Sequence, residues 1–193
     1  MADRRLRFSQ QRMINPSNNK IWRQSTLFGC LVIIALVAAG TLPFPARAKD
    51  CSQPTHETII ELYEWIEAKT DYDLSKPKAE PPEILFCAVG EDIPYEDRRM
   101  VVEPNDLGVY DPINRRIYLV GSWSETRLED VAVLLHELVH DVQFVNRTWE
   151  CPNQSEWEAY KLHELWLSEK GIDAGFDWTR IYFRSKCPRD IHP

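Results

Sequence analysis

Three things are missing from this 193-residue chain. There is no apolar run of the ~20 residues that a relaxed bilayer-spanning helix needs; the run LFGCLVIIALVAAGTL over 27–42 has 16. There is no excess of basic charge, since 23 Lys and Arg face 30 Asp and Glu for a net charge of −7. There is no close pair of cysteines of the C-x-x-C kind that structural zinc sites use, nor any repeat or low-complexity tract. These absences argue against a multi-spanning membrane protein, a zinc ribbon and a solenoid. With 44% apolar and 27% charged residues, the composition is that of an ordinary globular domain.

The charge that is present is unevenly placed. Residues 1–48 carry seven basic groups and the single acid Asp3, which leaves 16 basic and 29 acidic residues in 49–193. A body that acidic is a poor partner for nucleic acid or an anionic membrane surface. Six basic residues precede the 27–42 run, and Ala46-Arg47-Ala48 follows it, the pattern of a secretory signal with an A-x-A cleavage site. The expected division is therefore a signal peptide over 1–48 and one domain over 49–193, periplasmic or secreted. Membrane attachment is expected only if the segment stays uncleaved as an inner-membrane anchor.

Cys51, Cys87, Cys151 and Cys187 remain in the exported part, where an oxidising compartment favours two disulfides. Chain geometry suggests the pairing. A helix over about 155–170 leads away from Cys151, Gly171 and Gly175 permit reversal, and a short helix over 176–185 returns Cys187 towards it. By the same reasoning a helix over 54–69 and a loop over 70–82 allow Cys51 to meet Cys87.

Periodicity fills in the rest. Glu83–Val89 has strand length and Gly90 closes it; 91–106 is charged and irregular; Leu107–Asp111 and Arg116–Val120 flank the turn signal Asp111-Pro112-Ile113-Asn114 and form a hairpin. From Thr126 the period becomes helical, with Thr126 and Glu129 spaced as a capping box and the helix running to about 145. An α+β domain follows, with a small antiparallel sheet packed on this helix.

Inside the helix stands His136-Glu137-Leu138-Val139-His140. Four residues make just over one turn, so both imidazoles leave the same face and can share one metal ion, while Glu137 lies where it can act as general base towards a metal-bound water. A catalytic zinc needs a third protein ligand and one open position. On the next helix, Glu158, Ala159, Leu162, Leu165 and Trp166 share an apolar side that should pack against the HExxH helix, whereas Glu156, Tyr160, His163, Glu164 and Leu167 share the other. That phase selects Glu158 as third ligand, with Glu156 as second choice. Gln143, two turns beyond His136, and Tyr160 are candidates for the cleft, and Tyr160, His163 or Tyr182 for stabilising a transition state. His56 and His192 read as surface residues.

HExxH followed some twenty residues later by a glutamate-bearing helix resembles the gluzincin branch of the zincin metallopeptidases. The longer pattern LLHELVHDVQF with EWEAYKLHELWL is similar to small exported bacterial proteins of that type. The resemblance spans about 107–170. It implies a zincin-like fold, one Zn2+ per chain and hydrolysis of a peptide or protein substrate. It also implies that a sheet strand beside the active-site helix pairs with extended substrate, and Arg116–Val120 is the expected strand. Thermolysin-like members place an aspartate four residues after the ligand glutamate to orient a histidine; Leu162 stands there, so orientation must come from elsewhere, with Asp141 and Asp130 as candidates. The competing reading is a non-catalytic envelope or binding protein in which zinc only stabilises the fold.

Overall fold

Strand alternation sorts apolar side chains onto the two faces of one small sheet, and helical period supplies the layer that covers one of them. The computed structural model describes residues 9–11 and 53–188. Its elements in chain order are β1 (Ser9–Gln11), α1 (His56–Lys69), α2 (Ser75–Ala79), β2 (Glu83–Cys87), β3 (Asp92–Tyr95), β4 (Arg98–Val101), β5 (Asp106–Asp111), β6 (Arg116–Val120), α3 (Leu128–Asn146), α4 (Asn153–Glu169) and α5 (Trp178–Arg184). The class is α+β, as the sequence suggests.

The expected hairpin is β5–β6, paired from Gly108 with Leu119 to Asp111 with Arg116. Asp111 closes its turn by accepting from the backbone N–H groups of Ile113 and Asn114 at 3.0 and 3.1 Å. The sheet order is β1-β5-β6-β2, and β2 runs parallel to β6. The sheet is therefore mixed, which corrects the antiparallel expectation. β6, the expected substrate strand, is flanked on both sides by β5 and β2, and β5 likewise lies between β6 and β1, the latter antiparallel with Gln10 opposite Gly108.

Alternate residues of the hairpin face opposite ways. Tyr110, Ile117 and Leu119 face the helices and join a core with Tyr63 and Ile66 of α1, Leu134, Leu138 and Val142 of α3, and Ala159 and Trp166 of α4. Val109 and Tyr118 face the other way, against Ile93, Tyr95 and Met100. Those three belong to β3 and β4, a two-stranded hairpin where the sequence reads as irregular. Likewise α2 occupies part of the expected 70–82 loop. Both elements are four or five residues long, too short to establish a period.

Every residue of α3 from Val131 to Gln143 is buried, because sheet, α1 and α4 surround it. Its start departs from the capping-box expectation: Arg127 is the N-cap residue and makes no side-chain cap bond. Asp130 instead ties the helix to the preceding loop, accepting from Ser124 N and Arg127 Nε, each at 2.7 Å. The chain reversal after α4 brings Cys187 back to Cys151, and the disulfide joins them with Cα atoms 5.8 Å apart. Cys87 is buried on β2, with its Sγ 3.8 Å from the carbonyl oxygen of Leu119. Its expected partner Cys51, like the 27–42 run and His192, lies outside the described residues. Among the described residues no helix is long and apolar enough to cross a membrane.

Candidate metal centre

One turn of α3 presents both imidazoles to the same point. His136 Nε2 and His140 Nε2 lie 3.1 Å apart. α4 brings Glu156 Oε2 to 3.4 Å from the first and 3.8 Å from the second. Two ligand atoms on a tetrahedral ion with bonds of about 2.0–2.1 Å stand roughly 3.3 Å from each other. His136, His140 and Glu156 are thus spaced as a ligand set, and among the described residues they are the group of three that could hold a metal ion.

The electrostatics agree with the geometry. Burial holds the His136 imidazole down to about 4, against the opposing pull of Glu156, so it is neutral and offers a lone pair. Burial opposes the charge on Glu156, but the closeness of His136 and His140 outweighs it and lowers its carboxyl to about 2. Two imidazole nitrogens and a carboxylate oxygen converging in a buried space leave electron pairs facing one another, an arrangement that a cation completes.

Glu137 lies beside this point with its carboxylate fully buried, and neither oxygen has a hydrogen-bond partner among the described residues. Burial above all, with Glu156 and Asp106 nearby, pushes its carboxyl well above the ordinary range. Its wall is β5: a β-carbon at Gly108 would stand 2.5 Å from Glu137 Oε1. Gly108 went unnoticed in the sequence, although a glycine inside a strand signals a close approach of another group.

Glu158 is not in the set. Its Oε2 accepts from Tyr72 OH at 2.6 Å and from Gln143 Nε2 at 2.8 Å, at the margin of the helix pair. Helical phase points to Glu158 and the structure to Glu156 because α4 buries more than its apolar side. Ala159, Leu162 and Trp166 enter the core as expected, but Glu156, Tyr160, His163 and Leu167 are buried too, while Leu165 is exposed. A stripe that faces a polar site looks, in sequence, like one that faces water.

The same correction brings two residues in. The ring of Tyr160 lies 4.6 Å from that of His136, and the ring of His163, placed on the wrong face by the sequence, lies 5.7 Å from it. Burial, and then His136, push the His163 imidazole well below its usual value. Phe176 packs edge-on against both Tyr160 and His163. Tyr182 is half exposed against Trp157, away from the site, and His56 is exposed at the start of α1.

Neither expected aspartate orients a ligand histidine. Asp130 serves the start of α3, as described above. Asp141 accepts from Tyr63 OH, Tyr110 OH and Arg115 Nε at 2.9 Å each and from Arg115 Nη2 at 3.0 Å, tying α3 to α1 and the β5–β6 hairpin. The partner of His140 Nδ1 is Gln143 Oε1, at 3.0 Å.

Residues 51–193 match the family described as "Domain of unknown function (DUF6647)", and the chain belongs to that family. No curated protein and no solved structure matches it.

Proposed function

We propose that this chain is an exported zinc-dependent peptidase with a zincin-like arrangement, in which His136, His140 and Glu156 hold one zinc ion and Glu137 is the general base. The observation that carries the reading is the pairing of the three-atom ligand set with a buried carboxylate that has no partner of its own. A structural zinc site has no use for that carboxylate, whereas hydrolysis does. Bound zinc supplies a Lewis acid that polarises a carbonyl and acidifies water. His136 and His140 donate their Nε2 lone pairs and Glu156 an oxygen. Glu137 takes a proton from the attacking water on a carboxylate oxygen and passes it to the departing amide nitrogen, so a C–O bond forms as the C–N bond breaks. Tyr160 and His163 line the His136 side of the site.

The Cys151–Cys187 disulfide supports an oxidising location, in keeping with a periplasmic or secreted protein; cleavage of 1–48 as a signal would remove β1 and leave β5 at the sheet edge. The acidic body supports a peptide or protein substrate over nucleic acid. One observation favours the alternative of a non-catalytic protein with structural zinc: His136, Glu137 and His140 are at most 1% exposed. Glu137→Gln separates the two. Under the proposal it abolishes hydrolysis of a peptide library and leaves zinc content unchanged. Wild-type protein with one zinc that cleaves nothing in such a library supports the structural reading, and hydrolysis by Glu137→Gln at the wild-type rate removes Glu137 as base.

A further inference from the structure

We infer that Gln143 is the positioning residue for His140, and that Glu158 and the Ser155 carbonyl act through it to aim the His140 Nε2 lone pair at the metal point. The inference rests on the ligand set proposed above, but it concerns residues that touch no metal.

Donor and acceptor logic carries it. Gln143 is completely buried. Its Nε2 donates to the carbonyl oxygen of Ser155 at 3.1 Å and to Glu158 Oε2 at 2.8 Å. A carbonyl and a carboxylate can only accept, so the amide is fixed with its NH2 towards α4 and its Oε1 towards His140. An oxygen in that place, 3.0 Å from His140 Nδ1, accepts and cannot give. The imidazole proton is therefore held on Nδ1, and Nε2 is left bare where Glu156 and His136 Nε2 converge. Tyr72 fixes the far end of the chain by donating to the same Glu158 oxygen at 2.6 Å. The order of protons thus runs inwards from Tyr72 and Glu158 through Gln143 to one ring nitrogen.

His136 has no such support, since its Nδ1 lacks a hydrogen-bond partner among the described residues. Its ring is placed by the edge contacts of Tyr160 and His163 instead. Gln143 is also where α3 and α4 are bonded across the site, so the group that orients one histidine is anchored to the helix that carries the third ligand. Glu158 keeps a functional place, acting through Gln143 and not on the metal itself.

The test uses the full chain in metal-free and zinc-loaded form. In metal-free wild type, long-range proton–nitrogen NMR of 15N-histidine-labelled protein should show His140 protonated on Nδ1. Gln143→Leu should shift that proton towards Nε2 and weaken zinc binding about 10–100-fold in a competition titration. The double substitution Gln143→Glu with Glu158→Gln restores an acceptor facing Nδ1 and a donor facing that side chain, and should recover part of the loss, since the Ser155 carbonyl is left without its donor. A Gln143→Leu protein with wild-type tautomer and wild-type zinc affinity overturns the inference. If that variant does not fold, the double substitution decides: an Nε2-protonated His140 in it contradicts the assignment. Wild-type protein that takes up no zinc would remove the proposed function, yet the metal-free tautomer would still read the inference.

Discussion

Gly108 and Glu137 are in such close approach that a β-carbon on the glycine would stand 2.5 Å from Oε1 and 2.9 Å from both Cδ and Cγ of the glutamate. The glycine is required for space and not for an unusual backbone, since it is not among the residues with positive φ. Strand β5 thereby walls in the Glu137 carboxylate.

The relationship predicts the effect of a single methyl group. Gly108→Ala must push the Glu137 carboxylate aside, and a displacement near 1 Å at a reacting group costs on the order of 100-fold in rate. Peptide hydrolysis should fall by about that factor while zinc content stays at the wild-type level. Unchanged activity would mean that β5 does not position Glu137.

Metal-free protein should lose stability on acidification. The folded His136 imidazole sits at about 4 against an ordinary 6.5, so its contribution is present above 6.5 and is lost as pH falls from 6.5 through 4. Glu156, at about 2 against 4.5, adds a loss of the same sign between 4.5 and 2. The first alone is worth about 3 kcal/mol, readable in metal-free Glu137→Gln protein, where the opposing Glu137 carboxyl is removed, as a falling urea midpoint from pH 7 to 4. A midpoint that rises over that range contradicts the buried neutral imidazole.

Glu137 has the opposite sign. Its raised carboxyl favours the folded state at low pH and costs stability as pH rises through the folded value. Glu137→Gln should therefore raise the melting temperature of metal-free protein at pH 7 by several degrees. A lower melting temperature would show that the carboxylate has a stabilising partner.

Asp141 should matter for stability more than for chemistry. Asp141→Asn weakens a buried ion pair with Arg115 and places an N–H group among the donors of Tyr63 and Tyr110. Breaking such a pair costs roughly 3–5 kcal/mol, to be measured by equilibrium unfolding. A loss under 1 kcal/mol would show that α3 is held by its apolar contacts alone.

Much of this was legible in the sequence for identifiable reasons. HExxH brings two imidazoles to one point because helix pitch is invariant, and the β5–β6 hairpin shows because Asp111-Pro112-Ile113-Asn114 is strong turn chemistry. The Cys151–Cys187 bridge follows from one helix reversal. What failed is what depends on neighbours. Choosing Glu156 over Glu158 required knowing that α4 is covered on two sides, by α3 and by the Trp178–Arg184 helix whose Ile181 packs on Tyr160. Parallel pairing of β2 with β6 is a long-range choice that no local pattern encodes. The spacing of Glu156, Tyr160 and His163 at i, i+4 and i+7 was the available signal for the site-facing stripe, masked because its residues are polar.

Zinc content decides whether His136, His140 and Glu156 form the ligand set. Zinc content per chain should be measured by elemental analysis on wild-type protein and on His136→Ala, Glu156→Ala and Glu158→Ala after dialysis against a weak chelator. The expected result is one zinc in wild type, none in His136→Ala or Glu156→Ala, and zinc retained with weaker affinity in Glu158→Ala. Zinc kept by Glu156→Ala and lost by Glu158→Ala would contradict that set.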